Sequence, residues 1–293
     1  MAPEPQSWTI GSLLKWATDD FRTRGIESPR LDAELLVGHA LTLTRTEIIV
    51  QLDRPLMTVE LAKLRDLVKR RRAREPIAYL RGFREFYGRD FRVDKRVLIP
   101  RPDTEILVET AMKRSAGRSL SMRALDLCTG SGCVAITLAR ERPTSRVYAI
   151  DISPDALAVA RENALRLGAY NVAFGESDLF AGVDALCGAG ARFDVVTANP
   201  PYIATEELQT LAPDIREFEP RLALDGGKDG LDFFQRIAEG AKERLEPGGV
   251  LAVEVGAGEA EAVQGIFEAA GFTDVERAKD YARIERVVSG LRG

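Results

Sequence analysis

Apolar residues recur at helical spacing over the first part of the chain. Ile10, Leu13, Leu14, Ala17 and Phe21 would line one face of a helix. Ser28-Pro29 reads as a cap followed by proline at the first helical position, and Leu31, Leu35, Leu36 and Val37 continue the pattern. A short third helix is predicted over 44–52. A fourth runs from Thr58 through Leu61, Leu64 and Leu67 into Lys69-Arg70-Arg71-Arg72-Ala73-Arg74. These elements predict a small helical bundle as the first domain, 1–80. His39 falls within an apolar helix and is expected to be packed.

The period then changes. Arg84-Glu85-Phe86-Tyr87 and Phe91-Arg92-Val93 flank Gly88-Arg89-Asp90, the signature of a hairpin around a glycine turn, with an irregular loop as the alternative. Ile99-Pro100-Arg101-Pro102 is expected to be extended, because each proline pushes its predecessor out of the helical region. A linking hairpin over 81–102 follows. A helix is expected from about Asp103, with that aspartate as its cap.

Over 103–293, apolar runs near 123–128, 146–151, 172–176, 193–198, 249–255, 273–277 and 283–288 alternate with helical segments. The alternation predicts an α/β domain: a seven-stranded, mainly parallel sheet covered on both faces. The short connection between the last two strands makes them an antiparallel edge. In such sheets ligands bind beyond the carboxyl ends of the strands, where strand order reverses.

Composition narrows the class. The 293 residues are 45% apolar and 29% charged, with a formal net charge of −4, which excludes coating nucleic acid by bulk charge. Cys128, Cys133, Cys187 and the lone His39 match no zinc template, and three cysteines make a poor disulfide framework. No metal is expected, and the setting is expected to be reducing and cytoplasmic. Cys133 and Cys187 read as structural. The first residues lack the pattern of a signal peptide, and no apolar run approaches the roughly 20 residues of a membrane helix, so no membrane association is expected.

Two constellations carry chemistry. The first strand enters Cys128-Thr129-Gly130-Ser131-Gly132, with Asp126 two residues before it. The glycines permit a tight turn and close approach to a ligand, and Asp126 suits an ammonium. Asp151 ends the second strand, placed to accept two ribose hydroxyls; Asp178 and Leu179 follow the third, placed to flank an adenine. Gly130-x-Gly132-x-x-Ala135 also fits the dinucleotide fingerprint, so the glycines alone leave a nicotinamide dinucleotide and S-adenosylmethionine both open. The acidic residue at the first strand's end, together with the motif after the fourth, favours S-adenosylmethionine.

That motif is Asn199-Pro200-Pro201-Tyr202. Its prolines stiffen the loop and leave carbonyls exposed. The Asn199 side-chain oxygen and the Pro200 carbonyl can accept both N–H groups of a planar amide or amine, while Tyr202 offers a flat face. Such a grip favours the positive charge that builds on nitrogen during methyl transfer. Taken alone the tetrapeptide is also compatible with a rigid turn.

The glycine turn plus Asn-Pro-Pro-Tyr resembles class I adenosylmethionine-dependent amino-methyltransferases. Pro76 to Gly82, Arg84 to Tyr87, Leu98 to Glu105, Glu219-Pro220-Arg221, Gly227 to Gly230, Asp280-Tyr281 and Arg286 to Val288 resemble the release factor glutamine methyltransferases (HemK/PrmC family) over nearly the whole chain. The resemblance implies a Rossmann-like catalytic domain and an N-terminal domain that helps dock class 1 peptide chain release factors. It implies methyl transfer from S-adenosyl-L-methionine to the glutamine of a Gly-Gly-Gln loop. Residues 128–132, Asp151 and Leu179 would line the cofactor site, and Asn199 to Tyr202 would hold the glutamine. The family usually has glycine where this chain has Cys128.

The rivals are a nucleic acid adenine-amino methyltransferase, a non-catalytic adenosylmethionine-binding protein and a nicotinamide-dependent oxidoreductase. A DNA enzyme usually carries a target-recognition region and a basic face, and no direct DNA binding is expected here. The run Lys69 to Arg74 reads either as a contact for an acidic protein surface or RNA, or as a solvated helix end.

Overall fold

The computed structural model describes residues 8–118 and 121–293. The opening stretch read above for a signal peptide lies, through residue 7, outside the described residues. In chain order the helices α1 (Ile10–Thr23), α2 (Pro29–Leu41), α3 (Arg45–Val50), α4 (Thr58–Arg72) and α5 (Ile77–Arg81) come first. Strands β1 (Phe83–Phe86) and β2 (Arg89–Arg92) follow. Then come α6 (Glu105–Arg114), β3 (Arg123–Leu127), α7 (Cys133–Glu141), β4 (Arg146–Asp151), α8 (Pro154–Leu167), β5 (Val172–Glu176), α9 (Val183–Cys187) and β6 (Phe193–Ala198). The chain closes with α10 (Pro213–Phe218), α11 (Asp232–Arg244), β7 (Leu245–Glu254), α12 (Ala260–Ala269), β8 (Phe272–Lys279) and β9 (Glu285–Arg292).

By packing, one unit comprises the chain to Gly82 together with Ala212–Phe218, and a second comprises Phe83–Leu211 and Glu219–Gly293. In the first unit, Thr9 caps α1 and exchanges hydrogen bonds with Ser12. Leu13, Leu14, Phe21, Leu36, Val37, Ile48, Leu64 and Leu67 form its core. His39 is exposed in the last turn of α2, not packed. The apolar positions of that helix lie on both sides of it, and position 39 falls outside the buried stripe.

Lys69 and Arg70 of the basic run are exposed, but the arginines of the run are engaged in pairs within this unit. Arg71 is buried and donates to Asp32 at 2.8 Å and to Asp214 of α10 at 2.9 Å. Arg72 pairs with Asp20 and lies over the Trp16 ring; Arg70 pairs with Glu75; Arg74 donates to the Gly25 carbonyl.

In the second unit, β1 and β2 form a hairpin whose turn is Tyr87-Gly88, not 88–90. Both turn residues have positive φ, +52° and +70°, the twist a two-residue hairpin turn needs. Asp103 does not cap α6. It sits in a 3₁₀ turn, Pro102–Thr104, and its carboxylate pairs with Arg286 at 3.2 Å.

The main sheet has the order β5-β4-β3-β6-β7-β9-β8, with β9 antiparallel to both neighbours and all other pairs parallel. Successive residues of each central strand face opposite sides. Leu125, Leu127, Val196 and Leu251 pack with Phe234 and Ile237 of α11 and Phe267 of α12. Ala124, Val195 and Ala252 pack with Leu107 of α6 and Ile136 and Leu138 of α7. Order reverses between β3 and β6, so their carboxyl ends open the crevice.

Candidate functional site

The loops that leave β3, β4, β5 and β6 at the carboxyl edge surround a cavity of about 250 Å³. The first loop turns sharply because Thr129 N–H donates to the Ile150 carbonyl (3.0 Å) and Gly132 N–H to the Thr129 carbonyl (2.8 Å). Its two glycines differ in role. Gly130 has φ +55° and its missing side chain would point into open space, so the cavity reaches its backbone. Gly132 has φ +81°, and a Cβ there would come within 2.8 Å of Ile136 and 3.2 Å of Ala160. Gly132 therefore serves the approach of α7 to α8 and does not line the cavity.

Cys128 and Leu179 do line it, and both have positive φ, +55° and +47°. For a residue with a side chain this costs roughly 1–2 kcal/mol, and such strain gathers at functional sites. A glycine at 128 would carry no such cost. Burial pushes the Cys128 thiol well above its ordinary range and that of Cys133 up to about 12.

Asp126 is almost wholly buried at the cavity's floor. Its oxygens accept hydrogen bonds from the Thr129 and Thr197 hydroxyls at 2.6 and 2.7 Å. Burial raises its pKa to about 7, against those two bonds. Asp151, at the end of β4, accepts from Gly130 N–H (2.8 Å) and Ser153 N–H (2.9 Å), and burial raises its pKa as well. Both carboxylates keep lone pairs for a ligand. Ser131 and Thr129 complete this side, while Asp178 and Leu179 stand on another wall.

Asp178 is held by Arg236 of α11 at 2.7 Å, and the Arg236 guanidinium lies 5.8 Å from the Phe233 ring centroid. Phe233 and Arg236 line the cavity, and sequence reasoning missed both. Their helix is amphipathic like any other, so no local signal marks them.

After β6, Asn199 and Pro201 line the cavity, while Pro200 and Tyr202 do not. The Asn199 side-chain nitrogen donates to the Thr104 hydroxyl at 3.3 Å. Tyr202 is partly buried against the core, and burial raises the pKa of its phenol. Its backbone is pressed by the loop that follows: a Cβ on Gly226 would lie 2.7 Å from the Tyr202 Cα. Ile203 N–H donates to the Leu224 carbonyl (3.0 Å) and Gly226 N–H to the Ile203 carbonyl (2.8 Å), which ties the two segments together.

The outer wall brings Leu98, Pro100 and Arg101 beside Pro220 and Leu222. Buried Glu219 accepts from Ile99 N–H (3.1 Å) and the Arg101 guanidinium (2.6 Å), joining residues far apart in sequence. The motif segments at 98–105 and 219–221 carried a family signal but no geometric one. Thr104 and Glu254, which stand behind Asn199, were also missed.

The residues present fit S-adenosylmethionine: an open glycine backbone, two acidic groups with spare lone pairs and the apolar surfaces of Leu179 and Phe233. They fit a dinucleotide less well, because Asp126 beneath the glycine turn would meet a pyrophosphate there with like charge, whereas Asp151 suits the ribose of either ligand. Among the described residues no cluster of three or more His, Cys, Asp or Glu could hold a metal ion, and no helix is long and apolar enough to cross a membrane.

Residues 12–82 match the PrmC N-terminal domain and residues 119–279 a methyltransferase domain. The chain is 45% identical over 293 residues to the release factor glutamine methyltransferase of Geobacter sulfurreducens, covering 100% of both. It is 41% identical over 287 residues to that of Caulobacter vibrioides, covering 97% of each. Among solved structures it is similar to a methyltransferase from Pyrococcus furiosus (TM-score 0.53, 21% identity, 71% of this chain and 91% of that one). The hMettl16 catalytic domain bound to a MAT2A 3′UTR hairpin is similar too (TM-score 0.57, 14% identity, 75% and 80%). These two show the fold alone. The chain belongs to the release factor glutamine methyltransferase family.

Proposed function

We propose that this chain transfers a methyl group from S-adenosylmethionine to the side-chain amide nitrogen of the glutamine in the Gly-Gly-Gln loop of class 1 release factors. The observation that carries this reading is the meeting of two loops at one cavity. The turn 128–132 with Asp126 and Asp151 stands on one side, and Asn199 at the end of β6 stands on the other. When bound, S-adenosylmethionine supplies an electrophilic methyl on a sulfonium that needs no metal to leave.

In this reading Asp126 takes the ammonium of the methionyl group, Asp151 takes the ribose hydroxyls, and Asp178 and Leu179 flank the adenine. Cys128, Thr129, Gly130 and Ser131 form the cradle, with Gly132 shaping it from behind. Asn199 and the Pro200 carbonyl accept the two N–H groups of the glutamine amide. Pro201 walls that grip, and Tyr202, packed against the core, backs it. An amide lone pair is delocalised, so hydrogen bonds that favour positive nitrogen lower the barrier.

The N-terminal domain, 1–80, would help dock the release factor, and 103–293 would hold the chemistry. A cytoplasmic setting follows from that substrate. Direct DNA binding is disfavoured by the engagement of Arg70, Arg71, Arg72 and Arg74 in internal pairs.

The test offers labelled S-adenosylmethionine with three acceptors: a release factor, the same factor with its loop glutamine replaced, and duplex DNA. Label is expected on the first alone; label on DNA, or equal label on the replaced factor, overturns the reading. Asn199→Ala should lower turnover by roughly 100-fold or more, the scale of one lost transition-state hydrogen bond. Its cofactor Kd should stay within about threefold. A comparable loss of cofactor binding would make Asn199 a cofactor ligand instead.

A further inference from the structure

Glu254 is the last residue of β7, whose neighbour in the sheet is β6; Val253 stands opposite Ala198. It therefore lies beside Asn199. The residue is 3% exposed, and its Oε2 has no hydrogen-bond partner among the described residues. The Thr104 and Asn199 side chains stand against its carboxyl and oppose the effect of burial on its proton affinity. Thr104 is itself buried, and its hydroxyl also accepts from the Asn199 side-chain nitrogen. Thr104 and Asn199 line the cavity and Glu254 does not. The three form a buried chain that ends at the loop proposed to grip the glutamine.

Chemistry fixes the direction of that chain. An ionised carboxylate only accepts, so Thr104 must give it its single proton. The Thr104 oxygen can then only accept from Asn199, whose NH₂ must face inward. The planar amide leaves its oxygen facing the cavity, as an acceptor. With a protonated carboxyl the chain can reverse, Thr104 donating to the amide oxygen. The NH₂ of Asn199 would then meet the substrate's own NH₂, two donors with nothing between them.

We propose that Glu254 is a positioning residue whose carboxylate, acting with Thr104, turns the Asn199 amide oxygen toward the substrate nitrogen. The proposal rests on the assignment of Asn199 to the glutamine. An anion behind Asn199 also favours the positive charge that develops on that nitrogen.

Burial raises the Glu254 pKa to about 7, with Thr104 and Asn199 opposing. Asp103 faces it with like charge and Arg286 of β9 with opposite charge; the Tyr202 phenol and the Cys133 thiol of α7 also feel it. Below that pH the carboxyl is protonated and the chain is free to reverse. The wild-type kcat should therefore rise with pH through about 7.

The test uses the full chain with a release factor and saturating labelled S-adenosylmethionine, from pH 6 to 8.5. Glu254→Gln should lower kcat by roughly 10- to 100-fold, the scale of a misplaced reacting group. Its cofactor Kd should be nearly unchanged, and the rise of kcat near neutrality should vanish. Retention of both kcat and that rise overturns the proposal. If Glu254→Gln does not fold, Thr104→Val removes the relay hydroxyl with little change of shape, and the same loss is required of it. Asn199→Ala separates the two ideas. Full turnover in that variant sinks the assignment of Asn199 itself, whereas its loss alongside an unaffected Glu254→Gln sinks only the role of Glu254.

Discussion

At the scale of single residues, the cavity concentrates groups that water would treat differently. Asp126 has its pKa raised to about 7 because burial outweighs the Thr129 and Thr197 hydroxyls. A raised acid pKa has a definite sign. The apo fold is helped by this group below the ordinary aspartate range and loses that help as pH rises through about 7. An ammonium placed against Asp126 reverses the preference, since it needs the ionised form. Cofactor affinity should therefore weaken as pH falls from about 7 toward 5.5, approaching tenfold per pH unit. Asp126→Asn should bind more weakly and lose most of that dependence. Isothermal titration of both proteins with S-adenosylmethionine checks this; parallel pH profiles would show that Asp126 does not meet the ammonium. The same position illustrates what a motif conveys. Its type and spacing were legible, because a carboxylate before a glycine turn is a chemical pattern. Its partner Thr197 was not, because that residue lies on another strand.

At the scale of elements, the strands were legible nearly to the residue at β4, β5 and β6, where apolar runs are bounded by Asp151, Glu176 and Asn199. The start of β7 was not. It begins at Leu245, four residues before the predicted run, through Glu246-Pro247-Gly248-Gly249, and its register to β6 shifts there. Proline and glycine read as a turn, yet the tertiary pairing of Leu245 with Phe193 recruits them. Loops were the hardest to read. The segments 203–211 and 219–230 are tied to the site's loops partly through backbone contacts that no side-chain pattern encodes. Gly226 is the clearest case, since any Cβ there would meet the Tyr202 Cα, its carbonyl carbon and the Pro201 oxygen at 2.7–2.9 Å. Gly226→Ala should displace the Asn199–Tyr202 loop. Overpacking of this kind costs about 1–3 kcal/mol, and kcat/KM should fall roughly 10-fold or more through misalignment. Thermal melting and steady-state kinetics together check it. Full activity would mean that the loop yields without moving Asn199.

At the scale of the whole molecule, the buried Arg71 joins α2, α4 and α10 by its bonds to Asp32 and Asp214. Burial raises the Asp32 pKa, and the Arg71 guanidinium beside it opposes that rise. Arg71→Ala would leave a buried carboxylate without its partner, which costs about 3–5 kcal/mol. Denaturant unfolding should report a loss of that order, and Arg70→Ala, at an exposed pair, should cost under about 1 kcal/mol. Equal effects from the two would deny Arg71 its buried role.

By itself the sequence determined the alternation of helix and strand, the mainly parallel sheet and the two loops proposed to carry chemistry, because period, turn residues and motif spacing are local properties. Only the tertiary structure decided which members of those loops face one cavity, which glycine opens it and which spaces α7 from α8. It alone brought Glu219 to Ile99 and Arg101, and Glu254 to Thr104 and Asn199. Those pairings depend on the order in which strands lie side by side, and burial then sets the proton affinities of the acids they bring together.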